Sequence, residues 1–444
     1  MIEGPPVQAA PLRGSAPFLK TAPSLSIPMR HFAFAAAAFW LFAAAFAWGQ
    51  GRLLGWDLNA GWVLGLVHIL TLGWISMTML GAMVQMAAVL WETPLAAPQS
   101  LIKAAWWLLA AGIAGFVGHL WLHSSRAWLP AVLLVAAFAI YLFALLRTMA
   151  WAPKLDWAGK HLVFAAVYLA AVAALGILLA YDRQRGVLFP DPEGALIAHV
   201  HLALVGWVSL SIFGVSYRLV SMFALSHLAS KTPGRLALVL VNAGLIGLAA
   251  DGLFGGRRLM PLWAALLAAG FAAYAWQMRQ IFLLRKRGLD PSLSFVLLAL
   301  AGGALWAALG LGLAFGWIAD TTEARAAYVY AALIGWATPF ILGQIHKILP
   351  FLVWLHIYSP RNWKPPVRVP KIQDLSSVKL AWAELWLLAP AVPAGIAGFL
   401  LESSFWLRLA STALFLCATV YVLNTVLTLK HIYWRDPRWS TPSS

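Results

Sequence analysis

The sequence has a single cysteine, Cys417, among 444 residues. One cysteine excludes an internal disulfide, a zinc site built from several thiolates and a cysteine-ligated iron–sulfur cluster, each of which needs two or more. It also excludes covalent heme attachment through a Cys-x-x-Cys-His motif. A metal bound by this chain would therefore take histidine nitrogen or oxygen ligands.

Charged residues are also scarce. Asp, Glu, Lys and Arg make up 10% of the chain, whereas a soluble domain has roughly a quarter. Hydrophobic residues make up 62%, and the mean hydropathy is +0.81. Apolar runs of about twenty residues, the length that crosses a bilayer, recur from Phe32 onward. The composition predicts an all-α, polytopic membrane protein with the lipid bilayer as its main partner.

Acidic residues are fewer than basic ones, 15 against 31, and the net charge is +16. Their positions favour a membrane topology over nucleic-acid binding, and no nucleic-acid partner is expected. Connections that contain lysine, such as the one with Arg285-Lys286-Arg287, alternate with connections that contain arginine and no lysine. The positive-inside rule then predicts a multi-pass protein of the cell inner membrane with both termini in the cytoplasm.

About twelve spans are expected, in three groups of four. Residues 1–30, rich in Pro, Ala and Ser and without an apolar core, predict a disordered cytoplasmic arm rather than a signal peptide. The groups of four spans occupy residues 31–150, 151–282 and 283–430, and residues 431–444 form a cytoplasmic tail. The expected spans lie near 31–49, 61–90, 104–122, 128–150, 161–180, 194–225, 235–254, 259–282, 292–317, 326–357, 380–401 and 404–429.

One motif occurs three times, beginning at His68, His201 and Tyr330. Each copy reads [His/Tyr]-x4-Gly-Trp-x-[Ser/Thr]-x4-Gly-x3-[Gln/Arg/Lys] without a gap. The copies fall on spans two, six and ten, so an even number of span crossings separates them and all three run in the same direction. This arrangement predicts three parallel four-helix repeats about a pseudo-threefold axis, rather than inverted repeats.

Most motif residues have a packing interpretation, because glycine, serine and threonine let membrane helices approach closely. The first position is different, because an imidazole within an apolar span needs a partner and tends to be functional. We expect five histidines near the outer ends of spans two, three and six: His68, His119, His123, His199 and His201. A second group near the cytoplasmic face is expected to be water-exposed: His31, His161, His227, His356 and His431.

Spacing divides the outer histidines. His199 and His201 are two apart, on opposite sides of a helix, so they suit either two separate sites or one ligand with the other histidine supporting it. His119 and His123 are four apart and share a helix face, which suits either two ligands of one metal or a solvated helix end. His68 and His201 are either ligands or hydrogen-bond donors to a neighbouring helix.

Polar residues also occur at the other end of the motif. Gln85, Arg218 and Lys347 end the three copies, and they either reach towards lipid headgroups or form a polar ring on the axis. Asp251 and Glu384 are the acids within the spans, and each lies near a span end. They make a weak case for a proton channel.

Twelve spans, threefold symmetry, outer histidines and the element Ala198-His199-Val200-His201 together resemble the catalytic subunit I of the heme-copper oxidase superfamily, including C-type oxidases and the large subunit of nitric oxide reductase. The resemblance implies that His68 corresponds to the heme ligand of span two, and His199 or His201 to the metal ligand of span six. Tyr330 stands on span ten where the family has histidine. Span seven has no histidine, although the family places two copper ligands there.

These departures imply a divergent member that is not a complete oxidase, similar to the heme- and copper-containing nitric-oxide-response membrane proteins. The resemblance implies heme b, and copper as a further candidate, with redox or small-gas chemistry on O2 or NO. It also implies cytochrome c or a quinol as electron donor, and respiratory subunits as partners. The implied cofactor-binding residues are His68, His199, His201 and Tyr330, and the metal candidates are His68, His119, His123, His199 and His201.

Two other functions fit the same sequence. The first is a transporter or channel that keeps the helix bundle without a cofactor, which the bare span seven favours. The second is a structural subunit of a respiratory complex, which the absence of a large soluble domain favours.

Overall fold

The structure is a computed structural model that describes residues 23–55, 60–91, 93–152, 155–226, 230–359 and 370–434. Within these ranges the chain is helical and has no β-strand. Of the expected disordered arm, residues 1–30, the first 22 lie outside the described residues. Residues 26–30 are helical rather than disordered, because α1 begins at Ser26. The tail is described only as far as residue 434, and α12 ends at Tyr433.

Twelve long helices account for most of the described residues. Eleven of them are long and apolar enough to cross a membrane, and α8 has a similar length but contains Gln277, Arg279 and Gln280. The chain is therefore a polytopic helical membrane protein. The helices are α1 Ser26–Gly49, α2 Gly61–His68 continued by Ile69–Ser76 and Met77–Leu90, α3 Gln99–Trp121, α4 Trp128–Ala150, α5 Trp157–Asp182, α6 Pro192–Ala224, α7 Thr232–Gly255, α8 Met260–Leu283, α9 Pro291–Ala314, α10 Thr322–Ile357, α11 Val378–Leu400 and α12 Ser404–Tyr433.

Successive helices reverse direction, so α1 begins and α12 ends on one side of the bundle. We call this side the terminal face and the other the distal face. Side-chain caps fix several helix starts, because the first backbone N–H groups of a helix have no partner within it. The capping residues, each of which accepts a backbone N–H three residues further on, are Asp156, Asp191, Asp290, Thr321 and Ser377.

The three motif copies lie on α2, α6 and α10, as the sequence predicts, and each contains a π-helical segment. The segments are Ile69–Ser76, Leu202–Ser209 and Ala331–Ala337. Each begins at the residue directly after the first motif residue. The π-helix is rare and occurs mostly as short insertions, often at functional sites. A π-helical segment at the same place in all three copies makes this part of the bundle a candidate functional region.

Close backbone contact at this level depends on glycine. Gly302 of α9 packs on Gly335, within the π-helical segment of α10. A Cβ atom at Gly302 would lie 2.0 Å from the carbonyl oxygen of Gly335. Any side chain there would push the two helices apart, which explains a small residue at both positions.

Candidate functional site

Hydrogen bonds between motif residues join the three motif helices. The indole Nε1 of Trp207 on α6 donates to the hydroxyl of Ser76 on α2, at 3.0 Å. The indole Nε1 of Trp336 on α10 donates to the hydroxyl of Ser209 on α6, also at 3.0 Å. In both cases the tryptophan of one copy bonds the serine of the preceding copy. The motif residues thus connect α2 to α6 and α6 to α10.

The third link of the ring, between α10 and α2, is not formed. Its members would be Trp74 and Thr338, and the indole nitrogen of the first and the hydroxyl of the second are both buried without a hydrogen-bond partner. The indole of Trp74 packs instead on two aromatic side chains. It stacks on Phe39 at 4.8 Å and lies edge-to-face with Tyr421 at 5.3 Å. Tryptophan–serine hydrogen bonds therefore join α2 to α6 and α6 to α10, whereas Trp74 of the third link packs on aromatic side chains.

Towards the distal face, His68 and His201 have the same local geometry. The Nδ1 of His68 lies 2.7 Å from the carbonyl oxygen of Leu64, and the Nδ1 of His201 lies 2.8 Å from that of Ile197. A carbonyl oxygen only accepts, so Nδ1 carries the proton in both neutral rings and the Nε2 lone pair is directed away from its own helix. This is the tautomer that a metal-binding imidazole uses when Nε2 is the ligand atom.

The two Nε2 atoms have different surroundings. The Nε2 of His201 lies 2.9 Å from the hydroxyl of Tyr328 on α10, which donates to it. The ring of His68 packs edge-to-face on Phe116 of α3, at 5.0 Å. A histidine–tyrosine pair thus lies between α6 and α10, and the motif register gives His199 of α6 the same relation to His68 that Tyr328 has to His201.

These pairs occupy equivalent motif positions. In each, the first member opens a motif copy, and the second lies two residues before the start of the next copy. His201 faces α10 through its hydrogen bond with Tyr328, and separate sites for His199 and His201 stay a prediction. The Nδ1 of His199 is buried without a partner, and its ring lies against α5, where a Cβ at Gly176 would be 2.9 Å from the ring Cε1.

Tyr330 opens the third copy and is held by α11. Its hydroxyl donates to the carbonyl oxygen of Ala391 at 2.9 Å, and its ring packs beside Phe46 and Phe399. A Cβ at Gly395 would lie 2.2 Å from this ring. The hydroxyl of Tyr330 is thus engaged with α11.

The expected shared helix face of His119 and His123 is wrong. Helix α3 ends at Trp121, and His123 is exposed in the left-handed region with a φ of 53°. The two imidazoles therefore do not sit one turn apart on a helix. Across the described part of the chain, no three His, Cys, Asp or Glu side chains come together in a way that could hold a metal ion.

The expected water exposure of the histidines near the terminal face is also wrong for three of them. His31, His161 and His431 are buried. The Nε2 of His31 lies 2.6 Å from the hydroxyl of Tyr141, and Nδ1 of His431 lies 3.0 Å from that of Tyr358. Distance from a span end does not reveal which helix face a residue occupies. His227 lies outside the described residues.

Two residues of the last motif position form ion pairs. Arg218 pairs with Asp156 at 2.9 Å, and Lys347 bonds Asp290. These two aspartates cap the first turns of α5 and α9, so the cations hold helix starts, while contact with headgroups and a polar ring on the axis both stay predictions. In the first copy, Gln85 has its Oε1 buried without a partner.

The sequence indicated an acid within the spans at Glu384 but not its partner. Glu384 of α11 is fully buried, and its Oε2 lies 2.8 Å from Nε2 of His346 on α10. Its Oε1 accepts from the amide of Asn424 on α12, at 3.2 Å. The thiol of Cys417 donates to the backbone carbonyl of Glu384, at 3.4 Å. A carboxylate in an apolar run was the only signal in the sequence, and its partner lies on another helix.

Two cavities adjoin these groups. One, with an empty volume of about 210 Å³, borders His346 and is described further below. The other, of about 570 Å³, lies between α2, α6 and α10 and is called here the axial cavity. Equivalent positions of the three copies line it, including Thr78, Ser211 and Phe340, and then Ala82, Val215 and Gln344.

No protein-family model matches the chain, and no curated protein matches it either. The site is therefore characterised by its own geometry. Imidazoles with a fixed tautomer lie towards the distal face, a bonded tryptophan–serine layer lies below them, and a buried acid–histidine pair lies towards the terminal face.

Proposed function

We propose that this chain is a heme-b-binding integral membrane protein that carries out redox or small-gas chemistry near its distal face. We also propose that it is a divergent relative of the heme-copper oxidase catalytic subunit, built from three parallel four-helix repeats. In this proposal it lies in the cell inner membrane with both termini cytoplasmic, and it receives electrons from a cytochrome c or a quinol.

Two observations carry the proposal, the anchored imidazole of His68 and the unpartnered imidazole nitrogen of His199. The Nδ1–H of His68 is anchored on Leu64, which leaves its Nε2 as a lone-pair donor. The Nδ1 of His199 is buried without any partner. Buried polar atoms are normally satisfied, and each exception calls for an explanation such as a bound ion. Two neutral imidazoles on facing helices are a donor set that suits heme iron.

His68 is the leading iron ligand, and His199 is the second. A b-type heme held by both imidazoles would supply one-electron transfer, and one held by His68 alone would leave a position open for a diatomic gas such as O2 or NO. The protein's own contribution is to hold the ligand tautomer through Leu64 and to cover the ring of His68 with Phe116. If His201 bound iron through Nε2, the hydroxyl of Tyr328 would lose the atom to which it now donates its hydrogen bond.

Four features support the threefold repeat. A π-helical segment follows the first residue of each motif copy. Tryptophan and serine of successive copies are bonded. Two copies end in a cation that pairs with a capping aspartate. Equivalent positions of all three copies line the axial cavity. Copper is left without a three-ligand set among the described residues, so the proposal assigns heme alone.

The test is the absorption spectrum of the full-length protein, purified in mild detergent from cells supplied with a heme precursor. We expect a Soret band, iron on elemental analysis, and the hemochrome of a non-covalent heme b. His68→Ala should lose the band, and His199→Ala should lose or shift it. His119→Ala, at the end of α3, is the matched control and should keep the wild-type spectrum.

A monodisperse protein with no Soret band, no iron and no spectral change on titration with hemin would overturn the proposal. Retention of the full band by both His68→Ala and His199→Ala would overturn the ligand assignment.

A further inference from the structure

Glu384 and His346 form an ion-pair-capable contact inside the helical bundle, away from the histidines of the distal face. Glu384 is fully buried, and the side chain of His346 is 11% exposed. A carboxylate without a partner in such a setting would be very unfavourable. Here both carboxylate oxygens are bonded, one to His346 and the other to Asn424.

The pair adjoins a cavity, the 210 Å³ cavity noted above, that reaches the connection preceding α11 on the terminal face. Besides His346, this cavity is lined by the polar residues Ser376, Asn424, Thr425 and Thr428, and by Tyr421. Hydroxyl and amide groups of this kind hold water in protein cavities. The free space beside His346 admits about one water molecule, which together with these side chains gives a proton a short route from the terminal face.

A second cavity lies on the other side. Ile345, the neighbour of His346, lines both the 210 Å³ cavity and the axial cavity. Thr78, Ser211 and Gln344, which line the axial cavity, also have buried polar atoms without a hydrogen-bond partner. The surface that the cavity itself exposes is apolar. The pair thus stands between a cavity that reaches the terminal face and a cavity on the axis.

Other titratable groups near the pair are few and can be named. From α12, Tyr421 and Cys417 face Glu384. From α9, the ring of Phe295 stacks on His346 at 5.7 Å and carries no charge. Lys347, the next residue of α10, turns away to Asp290 of α9. In the connection before α11, Asp374 accepts the backbone N–H of Lys371.

We propose that Glu384 and His346 form a proton-binding site that exchanges its proton with the terminal face through the adjoining cavity. In the protonated state the carboxyl O–H of Glu384 donates to Nε2 of a neutral imidazole that carries its own proton on Nδ1. With one proton fewer, the carboxylate accepts from Nε2–H of the neutral imidazole across the same 2.8 Å contact. The site does not depend on a bound heme, so it goes beyond the function proposed above.

The experiment is a pH titration followed by infrared difference spectroscopy of the full-length protein in lipid nanodiscs. We expect a carbonyl band of a protonated carboxylic acid to appear reversibly as the pH falls between about 10 and 4, a range that covers ordinary histidine and glutamate titration. Transfer to D2O should shift the band, because the proton exchanges with solvent. Labelling with ¹³C-glutamate should shift it as well, which assigns it to glutamate without any mutation.

Variants then identify the residue. Glu384→Gln keeps the shape and the bond to Asn424, and it should abolish the band. His346→Gln should keep the band and shift its titration midpoint by at least one pH unit. Asp251→Asn changes another buried acid, at the distal end of α7, and should leave the band unchanged.

Absence of a titrating glutamate band in the folded wild-type protein would overturn the proposal, as would a band unaffected by Glu384→Gln. A band that titrates identically in His346→Gln would overturn the shared site. Loss of heme in a protein that keeps this band would refute only the proposed function, so the two failures are distinguishable.

Discussion

The indole of Trp207 donates a hydrogen bond to the hydroxyl of Ser76, 131 positions away in the chain, at 3.0 Å. Both residues are buried, and both belong to the motif that opens at His68 or His201. Because the bond between Trp336 and Ser209 repeats this relationship on the next pair of helices, the motif serine is an acceptor rather than only a small packing residue. Its partner belongs to the following motif copy.

Removing these serine hydroxyls should destabilise the protein in a site-specific way. Hydrogen bonds between membrane helices contribute about 0.6 kcal/mol on average and at most about 1.7. We expect Ser76→Ala and Ser209→Ala each to lower the free energy of unfolding by about 1 kcal/mol, because each leaves a buried indole N–H without a partner. Thr338→Ala removes a hydroxyl that is already unpartnered and should cost less. Unfolding in mixed micelles measures all three, and equal losses would contradict the prediction.

Gly302 should not tolerate a methyl group. The Cβ of alanine would lie 2.0 Å from the backbone oxygen of Gly335, and backbone cannot rotate away as a side chain can. Overpacking costs about 1–3 kcal/mol, so Gly302→Ala should lower the melting temperature clearly. Gly118→Ala on α3, where nothing lies within 4 Å of the new Cβ, is the matched control. A melting temperature equal to that of the control would show that α9 and α10 are less tightly packed than described.

The sequence predicted the helical class and the position of each motif copy, because apolar length and a gapless motif are local properties. It could not predict the π-helical segments. Their hydrogen bonds change while the spacing of the motif residues stays the same in every copy. Nor could it predict the burial of His31 and His161. Depth in the membrane was readable from span ends, but the helix face towards the core was not.

The site was predicted unevenly for a related reason. His68, His199 and His201 were selected because each is an ionisable residue inside an apolar span, a property of single positions. The contact between His346 and Glu384 depends on how α10 packs against α11, and each residue alone looked like a span-end group. Pairs of this kind become visible only when the helices are placed together.

The pairing of Arg218 with Asp156 should contribute modestly to stability. Both side chains are about one-third exposed, and such pairs contribute roughly 0–1 kcal/mol because water screens them. We expect Arg218→Gln, which gives the second copy the residue that the first copy has at Gln85, to cost less than about 1 kcal/mol. A double-mutant cycle with Asp156→Asn measures the coupling. Asp156→Asn alone keeps a capping side chain, and a coupling well above about 1 kcal/mol would contradict the expected screening by water.

Low pH should destabilise the distal face, because protonation of Asp320 removes its ion pair with Arg325. Its carboxylate accepts two hydrogen bonds from Arg325, at 2.6 and 2.7 Å, and the Arg325 guanidinium holds the pKa of this carboxyl below its usual range. A lowered folded-state pKa means that the stabilisation is present above the unfolded value of about 3.9 and is lost as the pH falls through the folded value. Because more than half of the Asp320 side chain and over a third of the Arg325 side chain are exposed to water, we expect a small effect.

The effect of Asp320 is measured by acid unfolding of the purified protein, followed by tryptophan fluorescence. Asp320→Asn removes the titrating group, so its loss of stability between about pH 4 and pH 2 should be shallower than that of the wild type. At neutral pH the variant should be slightly less stable, because the charged bond to Arg325 is gone. Glu402→Gln, on the exposed turn between α11 and α12, is the control for removing one carboxyl. If Asp320→Asn and Glu402→Gln flatten the acid transition equally, the ion pair with Arg325 does not contribute to the acid sensitivity of this face.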